Sequence, residues 1–215
     1  MQLVVTAAGT ALGQALLRAL VARGELTRGG GGPEPLRRIL AVDRSQPAAL
    51  FVHEGIEYVQ GEYHQPRFFS RMMGAATDSV FHLSAWYAGA GLGMEAEAME
   101  LALLRSWDTT RALLEACRLQ SHAPRLVFAG RAGLRRSPGD VPSGIDAVCA
   151  DACESLLAEA ARRGIVDLRS VRLPPDAADG ADEDGAPPAD RWALRLIEAH
   201  ERPGEAPGVQ IVEAG

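Results

Sequence analysis

Short apolar, β-branched runs alternate with amphipathic stretches along most of this chain, and that rhythm constrains its fold more than any other feature. The run Gln2–Thr6 ends in small residues and gives way to helical spacing over Ala11–Arg23, so strand, tight turn and helix are predicted in that order. A Gly- and Pro-rich loop, TRGGGGPEP, leads to a second strand over 38–42 that stops at Asp43. Further strands are predicted near 56–59, 79–83, 125–129 and 168–173, with helices near 67–73, 94–118 and 146–163. Such alternation implies an α/β domain, a doubly wound parallel sheet with helices on both faces.

At 215 residues and 47% hydrophobic content the chain can bury one core. Residues 1–173 are read as that domain, and 174–190 as an acidic, Pro- and Gly-rich segment too polar to pack, a solvated linker rather than an acidic lid. Residues 191–215 are read as a final helix and strand, a truncated remnant of a substrate region. A net charge of -6 argues against nucleic-acid binding, which needs a basic face. No apolar run has membrane-spanning length and the first residues lack a signal-peptide pattern, so a cytoplasmic protein is expected. Cys117, Cys149 and Cys153 have neither disulfide nor zinc spacing and read as buried small residues, and no metal is expected.

In a doubly wound sheet, ligands bind beyond the carboxyl ends of the strands, and the first strand-to-helix turn meets the pyrophosphate. Here that turn is Thr6-Ala7-Ala8-Gly9-Thr10-Ala11-Leu12-Gly13, followed by Asp43 at the end of the second strand, Gly61-Glu62, and His82-Leu83-Ser84-Ala85. With the later segments 110–117, 153–157 and Arg172-Leu173-Pro174, these residues resemble the epimerase/dehydratase branch of the short-chain dehydrogenases, and sugar-acid dehydrogenases within it. The resemblance implies a Rossmann-like fold and a dinucleotide held by Gly9, Thr10, Gly13, Asp43 and Glu62, with Asp43 on the adenosine ribose favouring NAD. The residues alone leave Asp43 equally readable as a strand-end cap. They favour a surface acid for Glu62 and a satisfied core histidine for His82.

Two departures from the family pattern shape the functional expectation. Ala7 and Thr10 stand where its first two glycines belong, so NAD and NADP are expected to bind poorly, and no cofactor is expected to be required. The family's Tyr, Lys, Ser and Asn are all replaced: Asp146 stands at the Tyr position, Ala150 at the Lys position, Gly130-Arg131 where the Ser belongs and Ser106 near the Asn, and the chain contains no lysine or asparagine. Hydride transfer assisted by a Tyr–Lys pair is thereby excluded.

The same crevice would present Ser84, Trp86, Tyr87, Arg131 and Asp146. In that set Asp146 serves as base, Tyr87 as acid and Arg131 as the anchor of an anionic or enolisable small molecule. The expectation is an enzyme reused for non-redox isomerisation, dehydration or cyclisation. A non-catalytic binding module and an atypical NAD-dependent oxidoreductase are the alternatives. Apolar Leu103, Trp107 and Leu114 on the long helix suggest a homodimer that packs this helix against the one carrying Cys149 and Cys153.

Overall fold

The computed structural model describes residues 1–44, 50–65, 67–74, 76–83, 96–131, 145–173, 188–203 and 210–213. The chain opens with β1 (Gln2–Thr6), α1 (Ala11–Arg23) and the short strands β2 (Glu25–Thr27) and β3 (Pro33–Pro35). It continues through β4 (Arg38–Asp43), β5 (Ile56–Gln60), α2 (Phe68–Met72), β6 (Ser79–His82) and α3 (Ala96–Arg118). β7 (Arg125–Arg131), α4 (Ile145–Arg162), β8 (Asp167–Leu173), α5 (Pro188–Glu201) and β9 (Gln210–Glu213) complete it.

Seven strands form one sheet in the order β5-β4-β1-β6-β7-β8-β9. Every neighbouring pair is parallel, with Leu3 opposite both Ile39 and Ser79. The chain leaves β1 toward β4 on one side and later returns to place β6 on the other. That reversal opens a crevice at the carboxyl ends of β1, β4 and β6. The sheet continues past Leu173 into β9, so the last strand belongs to the same layer.

Alternation along the strands divides the core. Leu3, Val5, Phe81 and Val127 point to one face, where Leu16, Leu17 and Leu20 of α1 and Trp192, Leu196 and Ile197 of α5 cover them. Val4, Leu40, Val80, Leu126 and Phe128 point to the other, under Leu113 and Cys117 of α3 and Cys153 and Leu157 of α4. Each fully buried leucine contributes about 2 kcal/mol relative to exposure. Leu114, expected on the outer surface of α3, lies in this second core instead, because it falls one residue beyond the inward Leu113 and the neighbouring elements close over both. The three cysteines are buried and none is in a disulfide.

The predicted loop after α1 is in fact a small antiparallel hairpin, β2 against β3. Gly24 ends α1 with φ 72, and Gly29 and Gly30 turn the hairpin at φ 59 and 87. Its sequence hides it: Pro33 and Pro35 lack the N–H of an interior strand and are tolerated only because this ribbon lies outside the main sheet. Leu26 anchors it in the core. Beneath it, at the amino ends of β7 and β8, Arg125 pairs with Asp167 at 2.7 Å and donates to the His200 carbonyl at 2.6 Å.

Candidate dinucleotide site

The crevice is built on the turn between β1 and α1. Ala7 adopts a left-handed backbone, φ 52, and is buried. Only glycine takes this conformation without strain, so the turn keeps the shape of the glycine-containing version although a methyl group is present. Four hydrogen bonds hold the arrangement. Ala8 N–H donates to the Val42 carbonyl at 3.1 Å, Thr10 N–H to Ala7 O at 3.2 Å, Thr10 Oγ1 to Ala7 O at 2.7 Å, and Gly9 N–H to Asp43 Oδ2 at 2.8 Å.

Thr10 is the N-cap of α1, accepting from Gly13 N–H at 3.1 Å. Its hydroxyl is thus turned back into the turn. Gly13 permits the helix to lie directly against the strand end, since a Cβ there would stand 2.4 Å from Ala7 O. The N–H groups of Ala11 and Leu12, in the first turn of α1, have no partner within the helix and form the part of the turn suited to an anion.

Asp43 ends β4 beside this turn, and its own carbonyl accepts from Gly61 N–H at 3.0 Å. Gly61 leaves room for Phe68, whose ring would lie 2.6 Å from an added Cβ. Glu62 is exposed and faces His64 at 3.2 Å, in keeping with a surface acid. Tyr63 is buried nearby. Burial first, and the Asp43 charge second, push its hydroxyl up to about 12, which leaves it a neutral wall residue.

His82, fully buried, bridges Thr6 Oγ1 at 3.0 Å through Nδ1 and Thr110 Oγ1 at 2.9 Å through Nε2. It is the bonded core histidine that its place in a strand suggests, and burial lowers its pKa to about 3. Sequence reasoning missed Gln14. On the inner face of α1 it donates to Ala8 O at 2.7 Å and accepts from Phe51 N–H at 2.7 Å, while Tyr58 Oη donates to Phe51 O at 2.7 Å. The signal was available, a polar residue among Leu12, Leu16 and Leu17 on an otherwise apolar stripe.

Ser84, Trp86 and Tyr87 fall outside the described residues, as does the segment 174–187. Arg131 is the last residue of β7 and Asp146 the second of α4; their backbones are placed at the carboxyl edge of the sheet and their side chains lie outside the described set. Ala150, at the family's lysine position, is buried, as is Ser106. Among the described residues no group of His, Cys, Asp or Glu could hold a metal ion, and no helix is long and apolar enough to cross a membrane.

The left-handed residue 7, the close packing at Gly13, the helix N-terminus and the carboxylate of Asp43 together fit the pyrophosphate and adenosine half of a dinucleotide.

No known protein-family profile matches the chain. It is 31% identical over 186 residues to D-erythronate dehydrogenase of Cupriavidus necator, an alignment covering 81% of this chain and 55% of that protein. The chain therefore spans about half the length of this curated relative. In fold it is similar to the nucleoside-diphosphate-sugar epimerase of Agrobacterium tumefaciens, with TM-score 0.64 and 24% identity over 81% of this chain and 52% of that one. A short-chain dehydrogenase of Burkholderia cenocepacia J2315, solved with NADP, gives TM-score 0.66 and 16% identity over 100% of this chain and 87% of that one.

The expectation that no cofactor is required is overturned by these findings: the relative in sequence is a dehydrogenase, and a protein of the same fold is solved with NADP. With the turn, Asp43 and the seven-stranded order in view, the chain has the fold of the short-chain dehydrogenases, and its likeness in sequence to D-erythronate dehydrogenase supports the epimerase/dehydratase superfamily.

Proposed function

We propose that the chain binds a nicotinamide dinucleotide, NAD in preference to NADP, on the turn between β1 and α1, and serves an enzyme acting on a small hydroxy or sugar acid. The observation that carries this reading is the Gly9–Asp43 hydrogen bond of 2.8 Å, which fixes a carboxylate beside the phosphate turn. Asp43 in that place accepts ribose hydroxyls and repels a 2′-phosphate. The substrate class follows the D-erythronate dehydrogenase relative. Nicotinamide, when bound, supplies or takes up hydride at a substrate carbon.

The chain's own groups handle the rest. Arg131 at the end of β7 orients a carboxylate, and Ser84 polarises the reacting oxygen. Trp86 packs on the substrate, while Asp146 and Tyr87 exchange protons with it. The parallel sheet brings the exits of β6 and β7 side by side, and α4 starts at the same edge. A second reading keeps the dinucleotide bound but gives Asp146 and Tyr87 non-redox work, isomerisation or dehydration. It is favoured by the buried Ala150, which replaces the lysine that hydride chemistry in this family uses. The active form is proposed as a homodimer through α3 and α4.

Calorimetry with NAD and NADP tests the cofactor reading. NAD binding in the micromolar range is expected, a free energy of about 8 kcal/mol. Absence of binding at millimolar NAD sinks it. Single-turnover assays on hydroxy acids separate the two chemistries: absorbance of reduced nicotinamide appears in the first and not in the second.

A further inference from the structure

His82 does more than fill the core beneath the turn. Leu83 N–H donates to Thr6 Oγ1 at 2.9 Å, and Thr6 Oγ1 also lies 3.0 Å from His82 Nδ1. On the other side of the ring Nε2 meets Thr110 Oγ1 at 2.9 Å, whose hydroxyl donates to the Ser106 carbonyl at 2.8 Å and reaches Cys153 Sγ at 3.3 Å. A set of directions that satisfies these groups together has Thr6 donating to Nδ1 and Nε2–H donating to Thr110. A neutral imidazole accepts on one edge and donates on the other, and so joins the two hydroxyls.

Thr6 is the last residue of β1 and directly precedes the strained Ala7. A left-handed alanine persists only where its neighbours over-determine it. Val42, Asp43 and Thr10 hold the far side of that residue, and the near side is Thr6. We infer that His82 is a positioning residue for the dinucleotide turn: it fixes Thr6 from below, with Thr110 of α3 and Cys153 of α4 as its anchor. The inference rests on reading that turn as the dinucleotide site.

Two substitutions divide the bridge, because an asparagine side chain ends where Nδ1 stands and a glutamine where Nε2 stands. His82→Asn keeps the Thr6 contact and His82→Gln gives it up. With folding checked by circular dichroism, His82→Gln is expected to weaken NAD binding about tenfold, the worth of one hydrogen bond, and His82→Asn by less than about threefold. Amide exchange supplies a readout that needs no ligand. In His82→Gln, protection falls at Ala8, Gly9 and Gly13 and stays unchanged at Leu3 and Val5.

Equal behaviour of the two variants, or a loss spread evenly through β1, overturns the inference in favour of a purely structural role. If the unaltered chain binds no NAD but the exchange pattern holds, the positioning role stands and the dinucleotide reading falls. Should neither His82 variant fold, Thr6→Ser and Thr6→Val test the same link: valine is expected to loosen the turn and serine to preserve it, and equivalence of the two overturns the inference.

Discussion

Ala7 carries backbone strain that the family's glycine avoids, and this has a measurable sign. A left-handed alanine costs roughly 1–2 kcal/mol relative to its ordinary conformations. Glycine returns about 0.4–1 kcal/mol of that through a freer unfolded chain. Ala7→Gly is therefore expected to stabilise the protein slightly, by at most about 1.6 kcal/mol, seen as a higher urea midpoint at unchanged slope. A destabilisation of that size would mean that the methyl group, buried at 2% exposure, packs better than the turn is strained. At Asp43 the hydrogen bond to Gly9 and the proposed ribose contact can be separated. Asp43→Ala leaves Gly9 N–H without its acceptor and should cost at least about tenfold in NAD affinity. Asp43→Asn keeps an acceptor but removes the charge, so the ratio of NADP to NAD affinity rises; competition between the two dinucleotides measures it. Thr6, Gly13 and Asp43 were legible in the sequence because turn chemistry is local. The partners were not: Gly9 and Asp43 are 34 residues apart and Thr6 and His82 are 76 apart, and no local pattern joins them. For Ser84, Trp86, Tyr87, Arg131 and Asp146 the sequence offers positions along the sheet edge, and their roles rest on that alone.

Among the elements, α3 divides by face. Ala102, Ser106, Thr109, Thr110, Leu113 and Cys117 turn inward, whereas Leu101, Leu104 and Trp107 recur every third residue on the outside at 40, 49 and 38% exposure. Leu103 and, on the adjoining α4, Val148 extend the apolar surface. A stable dimer buries about 800 Å² on each partner, and an apolar stripe across two packed helices is the kind of surface that supplies it. Leu104→Glu combined with Trp107→Glu is expected to convert a dimer to a monomer while leaving the fold intact, because neither side chain is in the core. Light scattering at micromolar concentration decides, and a monomeric unaltered chain would remove the proposal. The long elements were readable for the same reason that α3 has two faces: periods of two and of three to four residues are imposed by burial on one side. The hairpin of β2 and β3 escaped because it is three residues to a strand and carries one buried apolar side chain, Leu26, which leaves no period to detect.

The whole molecule couples its two cores to acid through a pair of buried histidines. His82 has its pKa lowered to about 3 by burial, with Thr6, Thr110 and the Phe128 ring around it. His200, on α5, is also lowered to about 3, by burial first and then by the positive charges of Arg125, Arg28 and Arg169. It bonds Ser79 Oγ at 2.7 Å and stacks on Phe81. In the unfolded chain both rings take up protons near pH 6.5, roughly the ordinary value. Between that pH and about 3 the unfolded state therefore binds more protons than the folded one. Stability is complete above the unfolded value and declines as pH falls through this window. Each histidine contributes a slope of about 1.4 kcal/mol per pH unit and the pair about 2.7. For a domain near the lower end of the ordinary range, about 5 kcal/mol, these two groups alone abolish folding within roughly two pH units of pH 6. Urea titrations at several pH values between 6 and 4 would read the slope, and His200→Gln should halve it. A stability that stays level across that interval would mean that one or both rings are already protonated in the folded protein, contrary to their burial.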